Sequence, residues 1–129
     1  MKNSQCTIAL GSLFALFGVI TGAFGAHALE ETLLQNGTAD AWNTAVNYQM
    51  WHAFALIACG VLQRDGPSLG KATLCFGIGI LLFSGSIYWL SLDGPRWLGP
   101  VTPVGGLSLI VGWALLIIAQ FKKTKKTKH

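Results

Sequence analysis

Hydrophobic positions along this chain fall into four long runs, Thr7–Leu29, Ala41–Leu62, Ala72–Leu92 and Val101–Phe121, separated by short polar interruptions. A helix rising ~1.5 Å per residue needs about 20 residues to cross the ~30 Å hydrocarbon core of a bilayer, and each run has that length. Backbone polar groups in hydrocarbon find no water, so such a run must satisfy them within its own helix. The pattern predicts an all-α polytopic membrane protein: one domain over residues 1–129, four transmembrane helices in a compact bundle, and no soluble part.

Small and polar residues inside the runs are ordered. Gly11, Ala15, Gly18, Gly22 and Gly25 recur at spacings of four and three, which lays a groove along one face of the first helix. Lipid is as apolar as leucine, so helices in a bilayer associate by close backbone approach over such residues. Gly105 and Gly112 repeat the theme in the fourth run. These seven positions are the expected packing contacts, against another helix of the chain, a second copy (a homo-oligomer) or a membrane-protein partner. The second run begins near Asp40, an expected N-cap, and carries Asn43, Asn47, Tyr48, Gln49 and His52 in its first half. Unpaired polar groups cost several kcal/mol in hydrocarbon, so these must face protein or a wet cavity. In the third run Ser84, Tyr88 and Ser91 share one face. Asn36-Gly37 reads as a cap or turn beyond a helical Glu30–Gln35 extension, Asp65-Gly66-Pro67-Ser68 as a tight turn, and Trp42, Trp89 and Trp97 as an aromatic belt at one interface.

Composition agrees with the pattern: 52% of residues are hydrophobic and 11% charged, where a soluble domain carries about 25% charged residues. A net charge of +4 could signal a nucleic-acid partner, but its placement points to a membrane surface. Lys122, Lys123, Lys125, Lys126 and Lys128 follow the fourth run directly, as a basic cytoplasmic tail (122–129) facing anionic lipid. Four spans put both termini on one side, with eight basic residues there and Arg96 alone opposite. The expected orientation has N and C termini cytoplasmic. Cys6, Cys59 and Cys75 then lie towards the cytoplasm and are expected to stay reduced; no C-x-x-C pair supports thiol redox chemistry. Lys2, the apolar stretch and Ala26-His27-Ala28 imitate a signal peptide, yet the run exceeds the ~7–15 residues of a signal core, so it is expected to be retained.

Four motifs in order carry a family resemblance: Gly22-Ala23-Phe24-Gly25-Ala26-His27-Ala28-Leu29, the stretch Trp42–Ala53 (WNTAVNYQMWHA), Leu82–Tyr88 (LFSGSIY), and Gly99–Gly106 (GPVTPVGG) with Gly112-Trp113. The chain resembles DUF423, a domain-of-unknown-function family of small four-helix inner-membrane proteins. The resemblance implies this fold and a bacterial inner-membrane location, multi-pass, and carries no activity with it.

The candidate site collects polar residues in the outer half of the bundle: His27, Tyr48, Gln49, His52, Ser84, Tyr88 and Thr102. The opposite half reads as almost purely apolar. Two readings compete. The residues can bond to one another as struts at roughly 0.6 kcal/mol per interhelical hydrogen bond. Alternatively His52, with His27, binds a ligand, metal or proton, since an ionisable intramembrane side chain is a functional candidate. Two histidines could ligate a metal or haem iron, but 25 residues apart they make a weak pattern; no cofactor is implied, and no intramembrane carboxylate or Ser/His/Asp set is present. The expected function is a non-enzymatic binding or accessory protein acting through its helix faces. The alternative is a small-molecule or ion carrier using the polar cluster around His52.

Overall fold

The computed structural model describes residues 2–122, and the regular structure in them is helical: α1 (Lys2–Ala26), α2 (Glu30–Asn36), α3 (Ala39–Leu62), α4 (Gly70–Ser91) and α5 (Val101–Phe121), with a 3-10 turn at Arg96–Leu98 before α5. Helices α1, α3 and α4, and α5 together with the 3-10 turn before it, are long and apolar enough to cross a membrane. The basic tail from residue 123 onward lies outside the described residues.

Two local features depart from the pattern-based reading. The first run does not continue past Leu29 as one helix. The Leu29 N–H bonds to the Phe24 carbonyl at 2.8 Å and closes α1 at Ala26, and Glu30–Asn36 forms a separate α2. Leu33, 1% exposed, holds α2 against the bundle. Gly37, at φ 66°, takes the left-handed turn that ends it. Asp40 does not cap α3 either; the cap position is Thr38, whose hydroxyl is committed elsewhere. Thr38 Oγ1 and Asn36 Nδ2 both donate to the Ser91 carbonyl, at 2.8 and 3.2 Å, so the α2–α3 turn is tied to the end of α4. These bonds occupy a carbonyl that the end of α4 would otherwise leave unpaired.

Packing follows the small residues. Helices α3 and α4 pack against each other at the centre, α1 packs on α3, and α5 packs on α4. Along α1, Gly11 faces the backbone of Ala53 and the side chain of Ile57, Gly18 faces Met50 and Gln49, Gly22 faces Val46, and Gly25 faces the Trp42 indole. Ala15 is half-buried. The approach is close enough for Ser4 Oγ to donate to the Gly60 carbonyl of α3. On the other side Gly105 of α5 faces the α4 backbone at Leu82 and Phe83, and Gly112 faces the Phe76 ring. The apolar core, centred on Leu56, Cys59, Ala72, Phe76, Ile80 and Leu109, lies among α3, α4 and α5. Most remaining large apolar side chains of α1 and α5, such as Leu16, Val19, Leu107 and Ile110, are turned outward, as a lipid-facing surface requires.

Candidate functional site

Gln49 of α3 stands where three helices meet. Its Nε2 donates to the Phe14 carbonyl of α1 at 2.8 Å, and its Oε1 accepts from the Tyr88 hydroxyl of α4 at 2.7 Å. The Tyr88 hydroxyl also lies 3.0 Å from Thr21 Oγ1, which brings the chain of bonds back to α1 two turns further along. Trp42 joins the same group: its indole N–H donates to the Thr21 carbonyl at 2.9 Å and its ring lies 4.7 Å from that of Tyr88. Trp42 is 4% exposed, so it belongs to this buried cluster and not to an interfacial belt; Trp89 and Trp97 are exposed.

His52, one turn further along α3, belongs to a second group. Its Nδ1 lies 2.7 Å from the Tyr48 carbonyl, and its Nε2 lies 2.9 Å from the indole nitrogen of Trp113 on α5. An indole N–H only donates, so Nε2 accepts and the imidazole proton sits on Nδ1, directed at the carbonyl. Both ring nitrogens are thereby engaged within the chain. Phe76 packs 5.7 Å from His52 and 5.0 Å from Trp113, ring centre to ring centre.

The remaining predicted residues are distributed over other contacts. Ser84 Oγ donates to the Ala45 carbonyl at 2.7 Å, joining α4 to α3. Thr102 Oγ1 meets Ser86 Oγ at 2.6 Å, joining α5 to α4. His27 is exposed in the turn after α1 and is not brought to the His52 group. Neither Ser84 nor the Tyr48 side chain is hydrogen-bonded to His52; that partner is Trp113, 61 residues away. Sequence reasoning passed over Thr21, Ser86 and Trp113 as site members. Only Gly112-Trp113 carried a signal, through its place in the family motif. The half of the bundle nearer the chain termini is also more polar than its composition suggested. There Ser4 bonds to Gly60, Gln63 Nε2 to Thr7 Oγ1 at 3.1 Å, and Ser108 Oγ to the Cys75 carbonyl at 2.8 Å.

Beside His52 lies an open groove of about 890 Å³, formed because α3 and α5 flank α4 without closing over it. Tyr48 and Trp51 form one wall, Phe83 the floor, and Leu107, Ile110 and Trp113 the other wall. The groove runs from Pro103 to Trp113, about 15 Å along α5 at ~1.5 Å per residue.

The family model described as "Protein of unknown function (DUF423)" matches residues 21–106. The chain belongs to the DUF423 family. A UPF0382 membrane protein of Staphylococcus haemolyticus is 45% identical over 116 residues, covering 89% of this chain and 94% of the relative. The UPF0382 membrane protein YwdK of Bacillus subtilis is 40% identical over 119 residues, covering 89% and 95%. No solved structure matches. With four helices long and apolar enough to span, this DUF423 protein is a multi-pass bacterial membrane protein.

No group of three or more His, Cys, Asp or Glu side chains is placed to hold a metal among the described residues. The three cysteines are free. The geometry at His52 makes a direct prediction. His52→Leu strands the Trp113 indole N–H and is expected to cost about 1–3 kcal/mol, whereas the Gln side chain of His52→Gln can still accept that bond and should stay within about 1 kcal/mol of the parent. Paired unfolding curves in detergent measure both; equal loss in the two variants would remove Nε2 as the essential acceptor.

Proposed function

We propose that this protein is a non-enzymatic, membrane-embedded binding protein that seats the apolar chain of a lipid in the groove between α3, α4 and α5. The observation that carries this reading is the contrast between groove and polar cluster. Gln49, Tyr88, Ser84 and both nitrogens of His52 are bonded within the chain, while the accessible concavity, which the His52 ring helps to line, is otherwise aromatic and aliphatic. Ligand sites are commonly apolar clefts with a few orienting polar groups. Here Tyr48 and Trp51 line the groove, each pairing an apolar ring with a polar donor. A carrier for small polar molecules or ions would need polar atoms free to exchange with its cargo, and the hydrogen-bonding at His52 weighs against that reading.

Gly106 provides the test. A Cβ there would meet only the Phe83 ring, at 3.5 Å, so Gly106→Leu extends into the groove without striking backbone. Photo-crosslinking with a phospholipid bearing a diazirine in its acyl chain should label the parent at Trp51 or Leu107, and labelling should fall several-fold in Gly106→Leu. Gly85→Leu, at a position with nothing within 4 Å, is the matched control and should label like the parent. Equal labelling of all three proteins would overturn the assignment of the groove.

A further inference from the structure

A second cavity, of about 410 Å³, lies at the opposite end of the bundle, between the start of α4 and the end of α5. Because α4 and α5 run antiparallel, Lys71 in the first turn of α4 and Lys122 just after α5 come to the same level. Both line the cavity, with Ser68 beside them. Below the lysines the wall is apolar: Ala72, Leu115 and Ile118 descend from the rim towards the middle of the bundle. No carboxylate lines the cavity among the described residues. Asp65 is the one acidic residue in the segments at this end, against Arg64, Lys71 and Lys122, whereas Glu30, Glu31, Asp40 and Asp93 sit at the other.

We infer that this cleft is a binding site for an anionic glycerophospholipid, Lys71 and Lys122 holding the headgroup phosphate and the Ala72–Leu115–Ile118 wall receiving an acyl chain. A cation pair above a hydrocarbon-lined slot, at the end of membrane-spanning helices, matches a phospholipid in both charge and polarity profile. Two lysines at a membrane surface attract an anionic headgroup, and a free inorganic anion would make no use of the leucine and isoleucine beneath them. The site is separate from the groove beside His52.

The test uses the full chain in a neutral detergent, titrated with dioleoylphosphatidylglycerol or dioleoylphosphatidylcholine, with retained lipid counted by native mass spectrometry. Phosphatidylglycerol should be retained in preference to phosphatidylcholine. Lys71→Gln with Lys122→Gln should weaken its retention by about fivefold per lysine, about 25-fold for the pair. Both positions are exposed, so this variant keeps the fold. Ala119→Phe, which fills the slot and leaves both lysines in place, should lose the same lipid, whereas glutamine at Lys123, Lys125, Lys126 and Lys128 should retain it. Gly106→Leu should also retain it, which separates this site from the groove. Undiminished retention in the Lys71/Lys122 variant, loss that follows the four later lysines or Gly106 instead, or displacement of the lipid by millimolar inorganic phosphate would each overturn the inference.

Discussion

Gly105→Leu is expected to be the most damaging single substitution in the bundle. A Cβ at this position would overlap the backbone nitrogen of Phe83 and lie 2.7 Å from the Leu82 carbonyl carbon, both within α4. No rotamer change relieves a clash with backbone, so α5 would have to move away from α4 as a body. Overpacking usually costs about 1–3 kcal/mol, and a displacement of two whole helices belongs at or above the top of that range. Separation would also cost the contacts of Gly79 and Leu109, which meet at the same crossing. Gly11→Leu, facing the Ala53 carbonyl oxygen at 2.8 Å and the Ile57 nitrogen at 3.0 Å, should come next. Gly22→Leu should be mild, since its Cβ would only touch Val46 at 3.4 Å. Unfolding in mixed detergent micelles, followed by far-UV circular dichroism, orders the three. Equal tolerance at Gly105 and Gly22 would show that backbone proximity does not limit this interface.

Gln49→Leu is expected to loosen α1 and α4 from α3 at once. The amide makes two interhelical bonds in opposite senses, donating to Phe14 and accepting from Tyr88, and leucine of similar size can do neither. Interhelical hydrogen bonds in membranes average only about 0.6 kcal/mol when both partners are lost together. Here the half-buried Tyr88 hydroxyl loses its Gln49 acceptor and keeps only Thr21 Oγ1, 3.0 Å away, to donate to, so the cost belongs at or below the about 1–3 kcal/mol of a fully stranded polar group. Gln49→Leu should therefore destabilise by more than Tyr88→Phe, which removes a single hydroxyl and leaves the amide on Phe14. Adding Tyr88→Phe to Gln49→Leu should cost less than Tyr88→Phe alone, because the bond between Gln49 and Tyr88 is already lost. That non-additivity, read from a double-mutant cycle of unfolding free energies, is the diagnostic. Strictly additive losses would mean that Gln49 and Tyr88 contribute separately and that the bonded chain from Phe14 to Thr21 has no collective role.

The membrane character, the four spans and the family were legible in the chain itself, because the constraint behind each is local. A helix must satisfy its own backbone in hydrocarbon, so length and uninterrupted apolarity suffice to mark it. The fourth run, Val101–Phe121, coincides with α5 to the residue. Boundaries that depend on docking were not legible. Residues 27–35 retain helical propensity, and α1 ends at Ala26 because the chain turns there and Leu33 is buried against the bundle. Asp40 has the chemistry of an N-cap, yet the cap position goes to Thr38, whose hydroxyl the carbonyl of Ser91 claims from 53 residues away.

The sequence alone determined which residues are polar inside the membrane and which are small enough for close approach. Only the tertiary structure decided what each one meets. A glycine stripe states that some backbone comes near without naming it; the partner of α1 is α3 because Gly11, Gly18, Gly22 and Gly25 are matched by Ala53, Gln49, Met50, Val46 and Trp42 on its facing side. Likewise a histidine in an apolar run is equally compatible with a ligand and with a strut. At His52 the group it meets is the Trp113 indole, a donor 61 residues away, whose N–H bonds to Nε2 at 2.9 Å. Hydrogen-bond partnership across helices depends on their rotation and depth relative to one another, and neither is encoded in the spacing along a single run.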